Sequence, residues 1–292
     1  MQSTPSIPSK RRPRPRGSPE RLAALRTFAG LALGALLSAL AAPGLAWDRG
    51  ADGNFDQRTS AHFVLYQDVD IDERGGFHGS RRFEQQVLDE LERAYDGLEG
   101  LLGLRPARKI DVVIYDPALF DEQFRGLFRF PAAGFYQGVI RVRGATRLSV
   151  ELSRVLHHEL VHAALDAAAP ALIFPGWVNE GGAEWFEARA HGKRGLSPWE
   201  RSALAQMASQ GELHALQSLN VRAFSGMGPR QAQVAYLQSY ALIEFLVRRY
   251  GERSLPRFYD QLMQSRNLER ALDRVYRLDS RELEAALLAE LG

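Results

Sequence analysis

Apolar side chains recur at Phe83, Val87, Leu88, Leu91, Ala94, Tyr95, Leu98, Leu101 and Leu102. That spacing predicts one amphipathic helix, with Ser80 as its cap and Gly103 at its end. Short runs of strand formers flank it, HFVLY over 62–66 and IDVVIY over 110–115. The second run is apolar enough to predict burial on both faces. Asp116 and Pro117 then supply the cap and first position of a short helix whose apolar side is Phe120, Phe124, Leu127 and Phe128. Residues 131–138 read as a Gly-containing turn region, and VIRVR over 139–143 alternates like a strand with one wet face. Thr146 and Ser149 offer caps for a helix buried along Leu148, Leu152, Leu156, Leu160, Ala163 and Ala164. Beyond residue 187 the helical period dominates, over 197–209, 231–250, 255–264, 268–275 and 280–291. The polar stretches 47–60 and 68–79 read as a flexible lead-in and a charged loop. This order predicts an α+β fold, with a mixed sheet-and-helix lobe over 47–168 and a mostly helical lobe over 169–292.

Composition changes the picture in two places. The chain has 292 residues, 45% of them hydrophobic, which is enough for a substantial core. Its formal charge of +2 misleads, because residues 1–46 hold seven of the 37 Lys and Arg and only one of the 35 acids, leaving −4 for the remainder. Nothing basic is left there to bind nucleic acid. The same 46 residues carry a basic start, an apolar run over 28–40 too short for a bilayer span, and the small residues Gly44 and Ala46. They read as a Sec-type bacterial signal peptide cleaved before Trp47, so the expected protein is periplasmic or secreted, with no stable membrane insertion after cleavage. Retention of the segment as an anchor is the alternative. The chain has no cysteine, which removes disulfides, thiolate metal ligands and a cysteine nucleophile together.

The chemistry is concentrated after residue 157. His158 and His162 stand four residues apart in HHELVH, which on a helix is about 40° of rotation and ~6 Å of rise. Both imidazoles can therefore face one ion. Glu159 lies one step around, close enough to act on a water held at that ion. HExxH thus reads as two zinc ligands and a general base, and a catalytic zinc takes a third ligand from elsewhere. After breaks at Pro170 and Pro175-Gly176, the segment WVNEGGAE over 177–184 opens a second helix on which Glu180 and Glu184 share a face. His157 points about 100° away from the ligand face. It reads as solvated or hydrogen-bonded, as does Asp166, and Glu187 could graze the site, with a solvated helix face the preferred reading.

HELVH followed by WVNEGGAE resembles the gluzincin metallopeptidases, and most generally the bacterial peptidase MA-like proteins. The resemblance implies a zincin-like fold with a zinc cleft between the two lobes. It implies one Zn2+ per chain, held by His158, His162 and Glu180, with Asn179 orienting His162 and Glu184 orienting His158. In zincins the strand before the HExxH helix is an edge strand that pairs with extended substrate. Residues 134–142 fit that place, which makes Gly134, Phe135 and Tyr136 substrate-binding by resemblance. The segment YLQSYALI over 236–243 resembles the Tyr-Glu-Lys-Gly segment of aminopeptidase N type enzymes. That likeness puts Tyr236 at the position that donates to the reaction's oxyanion, with Tyr240 as the rival and His214 or His191 next in line. The Gly-x-Met-Glu-Asn pattern that grips a substrate amino group is missing, so the implied activity is an endopeptidase acting on a peptide or protein.

Two other function classes share these residues. One is a zinc hydrolase of a non-peptide amide such as a cell-wall bond. The other is a non-catalytic zincin-fold binding protein, which would have no use for Glu159. The leader reading has its own test. N-terminal sequencing of protein recovered from outside the cytoplasm should find a mature chain starting at Trp47 or within a few residues of it, and an abundant soluble form that keeps Met1 would refute it.

Overall fold

The computed structural model describes residues 55–68, 79–129 and 132–292. The expected signal peptide and most of the 47–60 lead-in and the 68–79 loop lie outside the described residues. Five strands form one mixed sheet: β1 (Asp56–Thr59), β2 (Phe63–Gln67), β3 (Ile110–Tyr115), β4 (Gly134–Tyr136) and β5 (Ile140–Arg143). Their order is β1-β2-β3-β5-β4, with β2, β3 and β5 parallel and the two outer strands antiparallel to their neighbours. The helices are α1 (Gly79–Leu102), α2 (Pro117–Gln123), α3 (Val150–Ala168), α4 (Gly176–Ala190), α5 (Pro198–Ser209), α6 (Pro229–Tyr250), α7 (Ser254–Ser265), α8 (Leu268–Tyr276) and α9 (Ser280–Leu291), with a 3-10 turn at Leu216–Leu219. The fold is therefore α+β, with a small mixed sheet and a helix-rich C-terminal region.

Strand β3 has both faces covered, as its apolar run predicts. Ile110, Val112 and Ile114 join the main core with α1 and α3, while Val113 and Tyr115 enter a smaller cluster with Phe120 and Phe135. Phe124, edge-on, and Phe128, tilted, close that cluster, with ring centroids 4.8 and 5.5 Å from Phe135. Leu127 departs from the expected stripe. Helix α2 ends at Gln123, so Leu127 lies past it and is exposed. Local caps form where the sequence places them. The Asp116 carboxylate accepts from the amides of Ala118 and Leu119 at 2.8 and 3.3 Å, and Ser149 Oγ accepts from Leu152 N at 3.2 Å.

Two strand expectations are corrected. The lead-in contains β1, whose DQRT sequence is mostly exposed and so shows none of the alternation that reveals a half-buried strand. The expected edge strand over 134–142 is instead a hairpin. Of its two strands only β4 lies at a sheet edge, because β5 is paired on both sides, with β3 and with β4. The alternation in VIRVR reports which faces are wet, not whether the backbone has a neighbour on each side. Its polar face is used up by Arg143, which makes a two-pronged ion pair with Asp121 at 2.8 and 2.9 Å.

The helical region is built around the contact of α4 with α6. Gly181 makes the approach possible, since a Cβ there would stand 2.5 Å from the carbonyl oxygen of Ser239 and 3.0 Å from Ile243 Cγ1. Alanine in a helix interior gains about 1 kcal/mol of propensity over glycine. Overpacking costs about 1–3 kcal/mol, and the obstacle here is a backbone carbonyl held in α6, so the steric cost wins. Gly181→Ala should lower stability by roughly 2 kcal/mol, read as a lower urea midpoint with unchanged slope. A midpoint equal to or above wild type would show that the two helices are free to separate.

Candidate functional site

Helix α3 carries His158, Glu159 and His162 on a rigid mount, buried on nearly every side. Helix α4 brings Asn179 and Glu180 up against them. All five side chains are essentially inaccessible to solvent. Glu180 Oε2 stands 3.4 Å from His158 Nε2 and 3.5 Å from His162 Nε2, and the two imidazole rings cross at 73° with centroids 4.9 Å apart. These separations match the ligand-to-ligand spacing of about 3.3 Å that zinc bonds of 2.0–2.1 Å would set in a tetrahedron.

Donor chemistry agrees with that spacing. Both carboxylate oxygens of Glu159, Oε1 of Glu180 and Nε2 of His162 are buried without a hydrogen-bond partner. Buried polar atoms left unpaired are costly, and several converging on one point fit a cation and a water. The residues present therefore fit a zinc ion held by His158, His162 and Glu180.

Neighbouring residues fix the two rings. Asn179 Oδ1 lies 3.0 Å from His162 Nδ1, so the ring donates from Nδ1 and leaves Nε2 free toward Glu180. His158 Nδ1 faces two carboxylates, Glu184 at 3.8 Å and Glu187 at 3.7 Å. The expectation that Glu187 is solvated is corrected here. It is fully buried, and Arg154 Nε donates to its Oε1. A seven-residue step along α4 returns Glu187 to the face of Glu180 and Glu184, which the helical period could have shown.

Electrostatics divide the carboxylates. Burial pushes Glu159 up to about 7 against the pull of His162 and His158. Burial would also raise Glu187, but the His158 imidazole and the Arg154 guanidinium outweigh it and hold it below the usual range. Glu184 moves the other way, raised by burial and by the charge on Glu187. Burial lowers His158, and Glu180 and Glu187 more than reverse this.

The remaining expected residues fall around this centre. Gly134 lies against α3, where a Cβ would stand 2.6 Å from Val155 Cγ1 and 3.5 Å from Glu159 Cγ. Strand β4 thus runs flat across the helix beside Glu159. Phe135 turns to the aromatic cluster on the opposite sheet face, and Tyr136 Oη donates to Asp166 at 2.8 Å, so Asp166 is hydrogen-bonded. Tyr236 is buried with its hydroxyl toward Glu180, and burial together with the charges of Glu180, Glu184 and Glu159 raises it well above the ordinary range. Tyr240 lies under Lys193, whose Nζ is 4.1 Å from the ring centroid. His214 Nε2 sits 3.0 Å from Gln231 O. His191 joins a separate group with His157 and Glu90. His157 is not solvated, being 5% exposed, and its Nε2 faces Glu90 Oε1 at 3.2 Å.

The family model of the peptidase MA superfamily matches residues 94–291, which take in strands β3 to β5, the histidine helix and all the helices after it. The chain belongs to the peptidase MA superfamily. This is a gluzincin-like metallopeptidase family, and its peptidases are typically zinc-dependent. No curated protein matches the sequence. Among the described residues, no helix is long and apolar enough to cross a membrane.

Beside this cluster, the Arg154 to Glu187 pair is a buried charge balance that can be tested by itself. Removing one partner of a buried pair leaves an uncompensated charge, at about 3 kcal/mol or more, and less when one partner is partly exposed as Arg154 is. Arg154→Met should cost roughly 2 kcal/mol at pH 7. The folded-state pKa of Glu187 lies below its unfolded value, so its contribution is present above the unfolded value near 4.5 and disappears as pH falls through the folded one. Chemical denaturation at pH 7 and at pH 4 should therefore show the variant's deficit shrinking with acid. A deficit that grows with acid would contradict this charge balance.

Proposed function

We propose that this chain is a zinc metallopeptidase of the gluzincin type, cleaving internal bonds of peptides or proteins outside the cytoplasm. The observation that carries the reading is the convergence of His158, His162 and Glu180 beside Glu159, whose two unpartnered oxygens lie in the same buried space. When bound, a zinc ion would acidify a water and polarise the scissile carbonyl.

Glu159 would act as the general base, taking a proton from that water and passing it to the leaving amine. Burial raises its carboxyl above the ordinary glutamate range, which strengthens it as a base. Asn179 would keep His162 in one tautomer, and Glu184 and Glu187 would do so for His158. Tyr236 supports an oxyanion donor role better than Tyr240 does. Its hydroxyl faces the Glu180 side of the cluster and stays protonated at any working pH, whereas Tyr240 is engaged with Lys193. The β4 edge runs beside Glu159 and would pair with the substrate backbone. The side chains of Phe135 and Tyr136 are committed to the core, so strand β4 would offer main chain.

Three variants separate the roles in one peptide-cleavage assay with metal analysis. Glu159→Gln should abolish cleavage and keep its zinc, Glu180→Ala should lose one zinc per chain with the activity, and Tyr236→Phe should lower kcat roughly 10²-fold to 10³-fold with KM and zinc little changed. Full cleavage by Glu159→Gln would refute the catalytic assignment. Wild-type kcat in Tyr236→Phe would move the donor role elsewhere.

A further inference from the structure

Behind the histidine helix lies a second group of metal-type side chains that the peptidase reading does not use. Glu90 of α1, His157 of α3 and His191 at the C-terminal end of α4 place one ligand-type atom each within 4.8 Å of one another. Glu90 and His157 are more than nine-tenths buried, and His191 stands at the solvent-open rim of the group. We propose that this group is a second metal site, taking a first-row divalent ion of the zinc class and clipping α1, α3 and α4 together.

Three features of the geometry point to a cation. His157 is 5% exposed, and neither of its ring nitrogens meets a hydrogen-bond partner. Its Nε2 stands 3.2 Å from Glu90 Oε1, close to the separation of two ligands on one zinc, without meeting it in hydrogen-bond geometry. His191 is already oriented for ligation. Its Nδ1 donates to the carbonyl oxygen of Glu187 at 2.9 Å, which leaves Nε2 as the nitrogen with a free lone pair. Ser153 Oγ lies against both Glu90 Oε1 and His191 Nε2, the latter at 3.0 Å, and so closes the fourth side of the group. Two imidazoles and one carboxylate, with a hydroxyl on the fourth side, favour zinc, nickel or cobalt over magnesium or calcium. Glu90 Oε2 is taken by Arg93, so the carboxylate would bind through Oε1.

The site would share a helix with the catalytic group without sharing a ligand. His157 and His158 are consecutive, so about 100° of helix rotation separates their side chains. Glu187 lies between the groups, giving its carboxylate to the His158 side and its carbonyl to His191.

Zinc alone is the probe, applied to the purified full chain by dialysis against buffered free Zn2+ followed by metal analysis. Wild type should hold two zinc ions per chain. His162→Ala/Glu180→Ala should hold one, and added zinc should raise its melting temperature, since an ion bound only by the folded chain stabilises it. Glu90→Gln/His191→Gln should also hold one, and cobalt(II) substitution should show a single visible absorption set where wild type shows two. The single variant His191→Gln, whose change lies at a helix end, should weaken the second equivalent at least tenfold if the double variant does not fold. The proposal is overturned if Glu90→Gln/His191→Gln, or His191→Gln in its place, binds zinc as wild type does. It is equally overturned if folded His162→Ala/Glu180→Ala binds none. If wild type and His162→Ala/Glu180→Ala both hold one zinc and Glu90→Gln/His191→Gln holds none, this site stands and the catalytic assignment fails instead.

Discussion

The constraint on which the rest of the structure depends is the burial of two imidazoles and two carboxylates in one space that almost no solvent reaches. An isolated charge in such a place would neutralise or be expelled. The protein answers with rigidity and compensation. Helix α3 holds three of the four groups in fixed register, and α4 delivers the fourth. The backbone of α4 can approach only because Gly181 presents no Cβ to the carbonyl of Ser239. Interior glycine costs about 1 kcal/mol of helix propensity, and that cost is accepted where closeness to α6 matters more. Strand β4 makes the same kind of approach from the other side at Gly134.

Compensation is graded outward from the histidines. Asn179 touches His162, Glu184 and Glu187 face His158, and Arg154 reaches Glu187 from a partly exposed position. Charge thus passes from the fully buried centre to a guanidinium that water can reach. The split between a low Glu187 and a raised Glu184 follows from that ordering, because Glu187 takes the larger share of the pull of His158 and Arg154 and its charge then raises Glu184. The hydroxyl of Tyr236 sits in the same negative field, which raises its pKa and keeps its proton in place.

Much of the α+β order was legible in the chain, for reasons that differ between elements. Helices α6 to α9 and strand β3 were visible because their period or apolar run is long enough to stand above local noise. His158, His162 and Glu180 were brought together by helical spacing and by a resemblance over about thirty residues, and the geometry places them within one coordination radius. What escaped depends on neighbours that a one-dimensional pattern does not contain. Strand β1 is polar because it is mostly exposed on both faces, and β5 reads like an edge although β4 covers it. Glu187 and His157 looked like surface positions because charged and titratable residues usually are. Their burial follows from Arg154 and from α1, distant in sequence. The Gly181-Gly182 pair was the missed local signal, since adjacent glycines inside a helix ask for a packing reason.

That missed signal and the second histidine group have one origin. An ordinary surface helix buries a single stripe, and α3 instead buries residues almost all the way around, from Leu152 through Leu165. The sheet lies on one side of it and α1 and α4 on the others. A helix enclosed in this way can turn few polar residues outward, so the polar side chains along its buried length must find an internal partner or an ion. His158, Glu159 and His162 meet Glu180 on one side. His157 meets Glu90 and His191 on another, Ser153 and Arg154 reach Glu90 and Glu187, and Asp166, near the helix end, accepts from Tyr136. The enclosure that gives the first group its fixed geometry therefore compels the second to exist, and the same physical demand for compensation applies to both.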